Sequence, residues 1–370
     1  MNIEDTIKQY DQLLFVLQGG GALGAYQVGV CEALLDRKCE PTWVIGTSIG
    51  GINGAIIAGN KPADRIPKLK QFWNTIAVHV PNIFPDFFNM FGGQAQNFQN
   101  MYISDWAAMM GVNGFFKPRM INPWLETHST PDELSFYDTS ELRKTLEEVI
   151  DFKILNSKKV RLTVSAVCVE TGITTRFDNT KEELGPEHIM ATGALPPGLP
   201  AVKINNEYFW DGGINSNTPF EVLMEEPTND KLLCFIVNLF AFVEKVPETM
   251  SAVLKRKKDL EYISQHHTLL HYFCELQEYK RDLQQLYAEL PDPGKFPGLQ
   301  KRCTEQHPGT LNIVRFHYRD RPCDSWSKDF EFSAESLMER FKLGYEDVML
   351  AFEEPSWLDL LPNELQLHNF

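Results

Sequence analysis

Leu13-Leu14-Phe15-Val16-Leu17-Gln18-Gly19-Gly20-Gly21-Ala22-Leu23-Gly24, with Trp43-Val44-Ile45-Gly46-Thr47-Ser48-Ile49-Gly50 after it, is the stretch that decides the fold. Each half is a short apolar run that ends in a glycine-bearing turn and gives way to a helical pattern. An apolar run without polar alternation reads as a strand covered on both faces. Strand, glycine turn and helix in succession form a βα unit around a mostly parallel sheet. Residues 13–18 and 43–46 therefore read as strands, and residues 25–37 and the stretch beginning at Ile49 as helices. Further strands are expected at residues 161–169, 173–177, 208–210, 232–239 and 311–316. Residues 140–150 and 186–192 read as helices.

Composition suits a large packed core. Of 370 residues, 43% are hydrophobic and 23% charged, ordinary values for a globular chain. The formal net charge of −15, from 35 basic and 50 acidic residues, argues against nucleic acid, whose phosphates need a basic footprint. It also argues against attraction of the whole surface to anionic membranes, although a local patch can still bind. Seven cysteines are scattered without a Cys-x-x-Cys pair, which fits a reducing compartment better than a disulfide framework or zinc ribbon. The polar start of the chain does not read as a secretory signal, and no apolar run is long enough to span a bilayer. The reading is of a soluble cytoplasmic protein that can touch a membrane surface without crossing it.

Two segments depart from the βα rhythm. Residues 81–124 are rich in Phe, Trp and Met among Gly, Asn and Pro, and read as an insertion. Packing of those aromatics onto the core is the favoured reading, with a lid or lipid-facing wall as the other. Residues 248–289 carry a long, charged helical pattern, including Lys255, Arg256, Lys257, Lys258, Asp259 and Glu261. It reads as a solvated helix pair beside the sheet. A last helix is expected at residues 333–353.

Gly46-Thr47-Ser48-Ile49-Gly50 fits the G-x-S-x-G pattern and lies where a strand ends and a helix begins. A serine there sits on a strained turn, and the positive end of the next helix favours a developing oxyanion. The pattern alone is common, so its placement carries the argument. The earlier loop, Gly19 to Gly24, also fits G-x-G-x-x-G. As a dinucleotide fingerprint it wants an acidic residue at the end of the next strand, where this chain has Gly46-Thr47-Ser48. As an oxyanion loop it offers consecutive backbone N–H groups, and a nucleophile standing in place of the acid favours this second reading.

The serine needs a base. None of the nine histidines stands in an evident strand-end loop with an acid. Asp211-Gly212-Gly213 does follow a short strand, although alone such a tripeptide is usually a hairpin turn. Taken together and in this order, the Gly-rich loop, G-x-S-x-G and Asp-Gly-Gly resemble the patatin-like phospholipase family. Residues 17–34, 46–55 and the run Ala191-Thr192-Gly193-Ala194-Leu195-Pro196-Pro197 before Asp211 look like its motif blocks, over roughly the first 225 residues.

The resemblance implies a three-layer α/β/α fold and a Ser–Asp dyad without histidine. Ser48 becomes the nucleophile and Asp211 the base, supported by Gly46, Gly50, Gly212 and Gly213. The oxyanion hole falls on Gly19, Gly20, Gly21 and Gly24, with Gly20 and Gly21 as leading donors. Many members carry Arg or Lys where this chain has Leu23, which weakens the case for a phospholipid head group. The expected organisation is a catalytic domain over residues 1–230 and a partly helical C-terminal extension over residues 231–370. The C-terminal third is similar to an extension found in a bacterial subgroup of the family, and holds no motif assignable to chemistry. The implied function is hydrolysis of lipid acyl esters with no cofactor and no metal. The stripe His267, His271 and Glu275 has ligand-like spacing but reads as a plain polar helical face. The other readings are a catalytically idle lipid- or partner-binding protein and a nicotinamide-dependent oxidoreductase.

Overall fold

The structure, a computed structural model, describes residues 3–79, 95–125, 128–225, 230–295, 297–299, 311–353, 357 and 365–370. Nine strands form its central sheet: Gln12–Leu17 (β1), Trp43–Thr47 (β2), Arg161–Cys168 (β3), Thr174–Asp178 (β4), Val202–Ile204 (β5), Glu207–Asp211 (β6), Leu232–Asn238 (β7), Leu311–His317 (β8) and Leu365–Asn369 (β9). β9, β8, β7, β1, β2 and β3 run parallel in that order. β4 and β6 pair with β3 in the antiparallel sense, and β5 pairs with β6. The mixed α/β fold with a mostly parallel sheet is thus the one the sequence announces.

Both faces of the sheet are covered, which is why its strands read as unbroken apolar runs. Along β1, Leu13, Phe15 and Leu17 join one hydrophobic cluster while Leu14 and Val16 join another. β7 alternates likewise, with Leu233, Phe235 and Val237 on one side and Leu232, Cys234 and Ile236 on the other. The first cluster packs against helices Ala25–Asp36 (α1), Ile49–Ala58 (α2), Arg65–Thr75 (α3), Ser140–Val149 (α5), Pro186–Thr192 (α6) and Ala334–Glu353 (α8). The second takes Leu270 and Phe273 from the helix Met250–Ala288 (α7). This makes three layers.

The expected solvated helix pair at residues 248–289 is instead one continuous 39-residue helix, α7. Its charged cluster is a solvated face only in part: Lys257 is exposed, but Asp259 is fully buried and Lys258 pairs with Asp329 at 2.7 Å. Within the aromatic insertion, residues 81–94 lie outside the described residues. The rest begins with helix Ala95–Met110 (α4), after which Phe115 and Phe116 are buried against the core. Met120, Ile121 and Trp124 of the same segment are exposed, so it contributes both to the core and to the surface.

The chain beyond residue 230 is woven into the sheet. β7 pairs with β1 from Gln12↔Leu232 to Leu17↔Val237, so β1 is central only because β7 is present. The break placed near residue 230 therefore falls between strands of one sheet. A chain ending at residue 230 loses β7–β9 and the covering helix, leaving an unpaired apolar edge. We expect it to be unfolded or aggregated in circular dichroism and gel filtration, and a folded monomeric fragment would show two separable units.

Candidate active site

The edge of β3 brings the candidate catalytic pair together. Thr163, Val164 and Ser165 pair with both β2 and β4, so those two strands lie on opposite edges of β3. Ala166 and Val167 pair with both β4 and β6, so β6 lies on the β2 edge. β2 ends at Thr47, opposite Ser165, and β6 ends at Asp211, opposite the next residue, Ala166. Two strands thus arrive head-on along one edge. Ser48 leaves the end of one and Asp211 closes the other.

Ser48 sits in an uncommon conformation, φ 55° and ψ −129°, of the strained kind found at strand-to-helix nucleophile turns. The turn is tight enough that a Cβ on Gly50 would run into the Leu17 carbonyl, and one on Gly46 would stand 2.5 Å from the Gly50 carbonyl oxygen. Only glycine fits at either position. Thr192, the last residue of α6, holds the strained turn in place. The Ser48 N–H donates to the Thr192 carbonyl at 3.0 Å and to its Oγ1 at 3.1 Å, while that hydroxyl donates to the Ser165 carbonyl at 2.6 Å. Two residues on, the Ala194 carbonyl accepts the Asp211 N–H at 2.9 Å. The run Ala191–Pro197 therefore positions both members of the pair.

Asp211 is 2% exposed. Burial pushes its carboxyl up to about 7, against hydrogen bonds from the Gly213 N–H at 2.7 Å and the Ser48 side chain that favour the anion. A carboxyl poised near neutrality beside a serine hydroxyl can exchange a proton with it at physiological pH.

Buried amides hold the Gly-rich loop at both ends. Asn217 Nδ2 donates to the Gly19 carbonyl at 3.0 Å, and the Gly19 N–H donates to the Asn217 carbonyl at 3.0 Å. Asn53 Nδ2 donates to the Gly24 carbonyl at 3.0 Å and to Gln27 Oε1 at 2.9 Å, and Trp73 Nε1 donates to Asn53 Oδ1 at 3.0 Å. Two expected oxyanion donors change as a result. The Gly19 N–H is already engaged, and Gly24 packs against Ile49 and Trp73 rather than lining the cavity. Gly20 and Gly21 both line it.

The pair opens into a cavity of about 280 Å³, walled mostly by apolar side chains. Phe115, Phe116 and Tyr137 line one part of it, and Phe240, Tyr262, Asp329, Phe330 and Phe332 another. Burial, with the Asp329 and Asp211 carboxylates, pushes the Tyr262 phenol up to about 12, so it stays protonated. Among the described residues no histidine lines this cavity. His271 and Glu275 do approach each other, at 3.8 Å, on an exposed face of α7.

A family model described as patatin-like phospholipase matches residues 15–224, more than half of the chain. The chain belongs to the patatin-like phospholipase family. A second model, described as patatin phospholipase, matches residues 260–364. Among solved structures the chain is similar to VipD from Legionella pneumophila, at 14% identity and a TM-score of 0.37, covering 93% of this chain and 67% of that one. No curated protein matches it. At the level of the family, this patatin-like chain is a lipid acyl hydrolase. No helix among the described residues is long and apolar enough to cross a membrane.

Sequence reasoning missed the C-terminal part of the cavity. Phe240, Tyr262, Asp329, Phe330 and Phe332 lie far from the motifs along the chain, and no local pattern marks them.

The buried Asp211 makes a prediction for stability. Its folded-state value lies above the ordinary carboxylate value, so the native state keeps a proton that the unfolded chain releases from about pH 4 upward. That contribution is complete at low pH and is lost as pH rises through about 7. Asp211→Asn removes the dependence, and the variant's Tm should gain on the wild type between pH 5 and pH 8. One pKa unit is about 1.4 kcal/mol, enough to read as degrees of Tm. A Tm difference that stays flat with pH would contradict the raised value.

Proposed function

We propose that Ser48 and Asp211 act as a nucleophile–base dyad that hydrolyses carboxylic esters of lipids through an acyl-enzyme. One observation carries the reading: a buried carboxyl, raised to about 7, shares a cavity wall with a serine held at a strained strand-to-helix turn, close enough for the hydroxyl to bear on its charge.

Asp211 takes the proton of the Ser48 hydroxyl as Oγ bonds to the acyl carbon and the carbonyl electrons move onto oxygen. The N–H groups of Gly20 and Gly21 stabilise that oxyanion, each such donor being worth about 3 kcal/mol. On collapse the carbon–oxygen bond to the alcohol portion breaks, and the leaving oxygen takes the proton from Asp211. Water then gives its proton to Asp211 as it attacks the acyl carbon. The second collapse returns that proton to Ser48 Oγ and frees the fatty acid. The aromatic walls, Phe115 and Phe116 with Phe240, Phe330 and Phe332, suit the acyl chain and keep water from the oxyanion. No step calls for a metal or cofactor.

Ser48→Ala and Asp211→Asn are expected to fold and to lose p-nitrophenyl ester and lipid hydrolysis by about three orders of magnitude or more. A fluorophosphonate should label wild-type Ser48, shown by peptide mass spectrometry, and not the Ser48→Ala chain. Failure of the wild type to react would favour the catalytically idle reading. In the wild type kcat/KM should rise with pH to a plateau, with a midpoint near the value of about 7 at Asp211. Full activity in either variant, or a profile flat from pH 5 to 9, contradicts the dyad.

A further inference from the structure

Arg340 lies in the middle of α8, more than three hundred positions from the Gly-rich loop, and is fully buried. Its Nη1 donates to the Ala22 carbonyl at 3.1 Å and to the Glu331 carbonyl at 2.9 Å, and its Nη2 donates to the Lys328 carbonyl at 3.0 Å. Asp324 at 3.6 Å and Glu331 at 3.7 Å balance its charge. One guanidinium therefore ties the oxyanion loop to the turn at residues 328–331. That turn is fixed in its own right. Lys328 is buried between Asp259 and Asp320, at 2.7 Å from each, and Asp329 pairs with Lys258 at 2.7 Å.

The turn presses directly on the loop. Gly21 has φ +53°, and a Cβ there would run into the Asp329 carbonyl. Backbone therefore meets backbone at the residue whose N–H is an expected donor. A planar trans peptide points its N–H opposite to its C=O, so fixing loop carbonyls fixes loop donors. The Leu23 N–H holds the Gly20 carbonyl at 3.1 Å, which sets the Gly21 N–H. Arg340 holds the carbonyl of Ala22, whose peptide carries that same Leu23 N–H on the short 3₁₀ turn. The fork of a guanidinium suits the task because it can serve three carbonyls in fixed directions.

We propose that Arg340 is a positioning residue for this reaction. From the C-terminal helix it holds the Gly20–Gly21 donors at the place where the oxyanion forms. The proposal rests on the Ser48–Asp211 reading. It locates the C-terminal segment in the transition state without any contact between Arg340 and substrate.

The test uses the full chain with Arg340→Lys and Arg340→Gln. Arg340→Lys keeps a cation facing Asp324 and Glu331 and carries the test if Arg340→Gln does not fold. Active sites are first counted by fluorophosphonate titration, so that rates are expressed per competent Ser48. A wild type that neither hydrolyses esters nor titrates counts against the dyad itself, before any variant is compared. If Arg340 aims the donors, per-site kcat on p-nitrophenyl esters falls about 10- to 100-fold, as a misplacement of an ångström costs, with KM within twofold. A trifluoromethyl ketone, whose adduct with Ser48 places an oxyanion in the hole, then weakens in proportion to kcat/KM, and the pH midpoint set by Asp211 stays in place. Per-site kcat at the wild-type level overturns the proposal, as does a rise in KM alone or ketone affinity that does not follow kcat/KM. A chain that folds in neither variant assigns Arg340 to folding alone and overturns it too.

Discussion

The whole arrangement depends on β3 being longer than β2. Because β2 stops at Thr47 opposite Ser165, the edge of β3 beyond it is open for a strand from the other direction. β6 takes that edge and ends at Asp211, one register position from where Ser48 leaves the sheet. The distance between the two groups is thus fixed by a backbone ladder rather than by flexible side chains, which is the pre-organisation a catalytic pair needs. Thr192 and Ala194 pin both arrivals from above. Close backbone approach there leaves room only for glycine at Gly46 and Gly50, and at Gly212, where a Cβ would run into the Ser165 carbonyl.

The same economy governs the Gly-rich loop, whose carbonyls are met by Asn217, Asn53 and Arg340 from three different parts of the chain. The buried charges around Arg340 and Lys328 are a substantial commitment. Removing such ions from water costs several kcal/mol each, and their pairing recovers that only when the geometry is close. Lys328 meets two carboxylates at 2.7 Å and Arg340 donates to three carbonyls, so the desolvation is largely offset by directed bonds. What such a cluster supplies is definition of position, placed where the loop and the cavity wall meet.

Strands buried on both faces were legible because their apolar runs are unbroken, as in Leu13–Leu17 and Leu232–Val237, and the glycine turns punctuate them clearly. As candidates, Ser48 and the Gly-rich loop were legible because strained turns restrict residue choice locally, and Asp211 only through its order after those two motifs. The short β5 and the C-terminal β9 were not, since Val202–Ile204 is too brief for a periodic signal and Leu365–Asn369 is a polar edge strand. The long α7 read as a solvated helix pair because charges such as Lys258 and Asp259 usually face water. Here their partners, Asp329 and Lys328, arrive from a turn some seventy positions later. For the same reason nothing near Arg340 in the sequence shows that it reaches Ala22. Pattern rules see neighbours along the chain, and this site is completed by residues distant in it. Family membership then accounts for the reaction class, while the cavity's aromatic lining is assembled by packing between distant parts of the chain.

The central claim is that Ser48, Asp211 and the Gly20–Gly21 amides form one reaction centre. A crystal structure of the chain covalently modified by a fluorophosphonate tests it most directly, because the adduct mimics the tetrahedral intermediate. The account predicts phosphorus on Ser48 Oγ, a phosphonyl oxygen within about 3 Å of the Gly20 and Gly21 nitrogens, and the Asp211 carboxyl beside Oγ. A phosphonyl oxygen turned away from the loop, or a histidine in place of Asp211 beside Oγ, would contradict it.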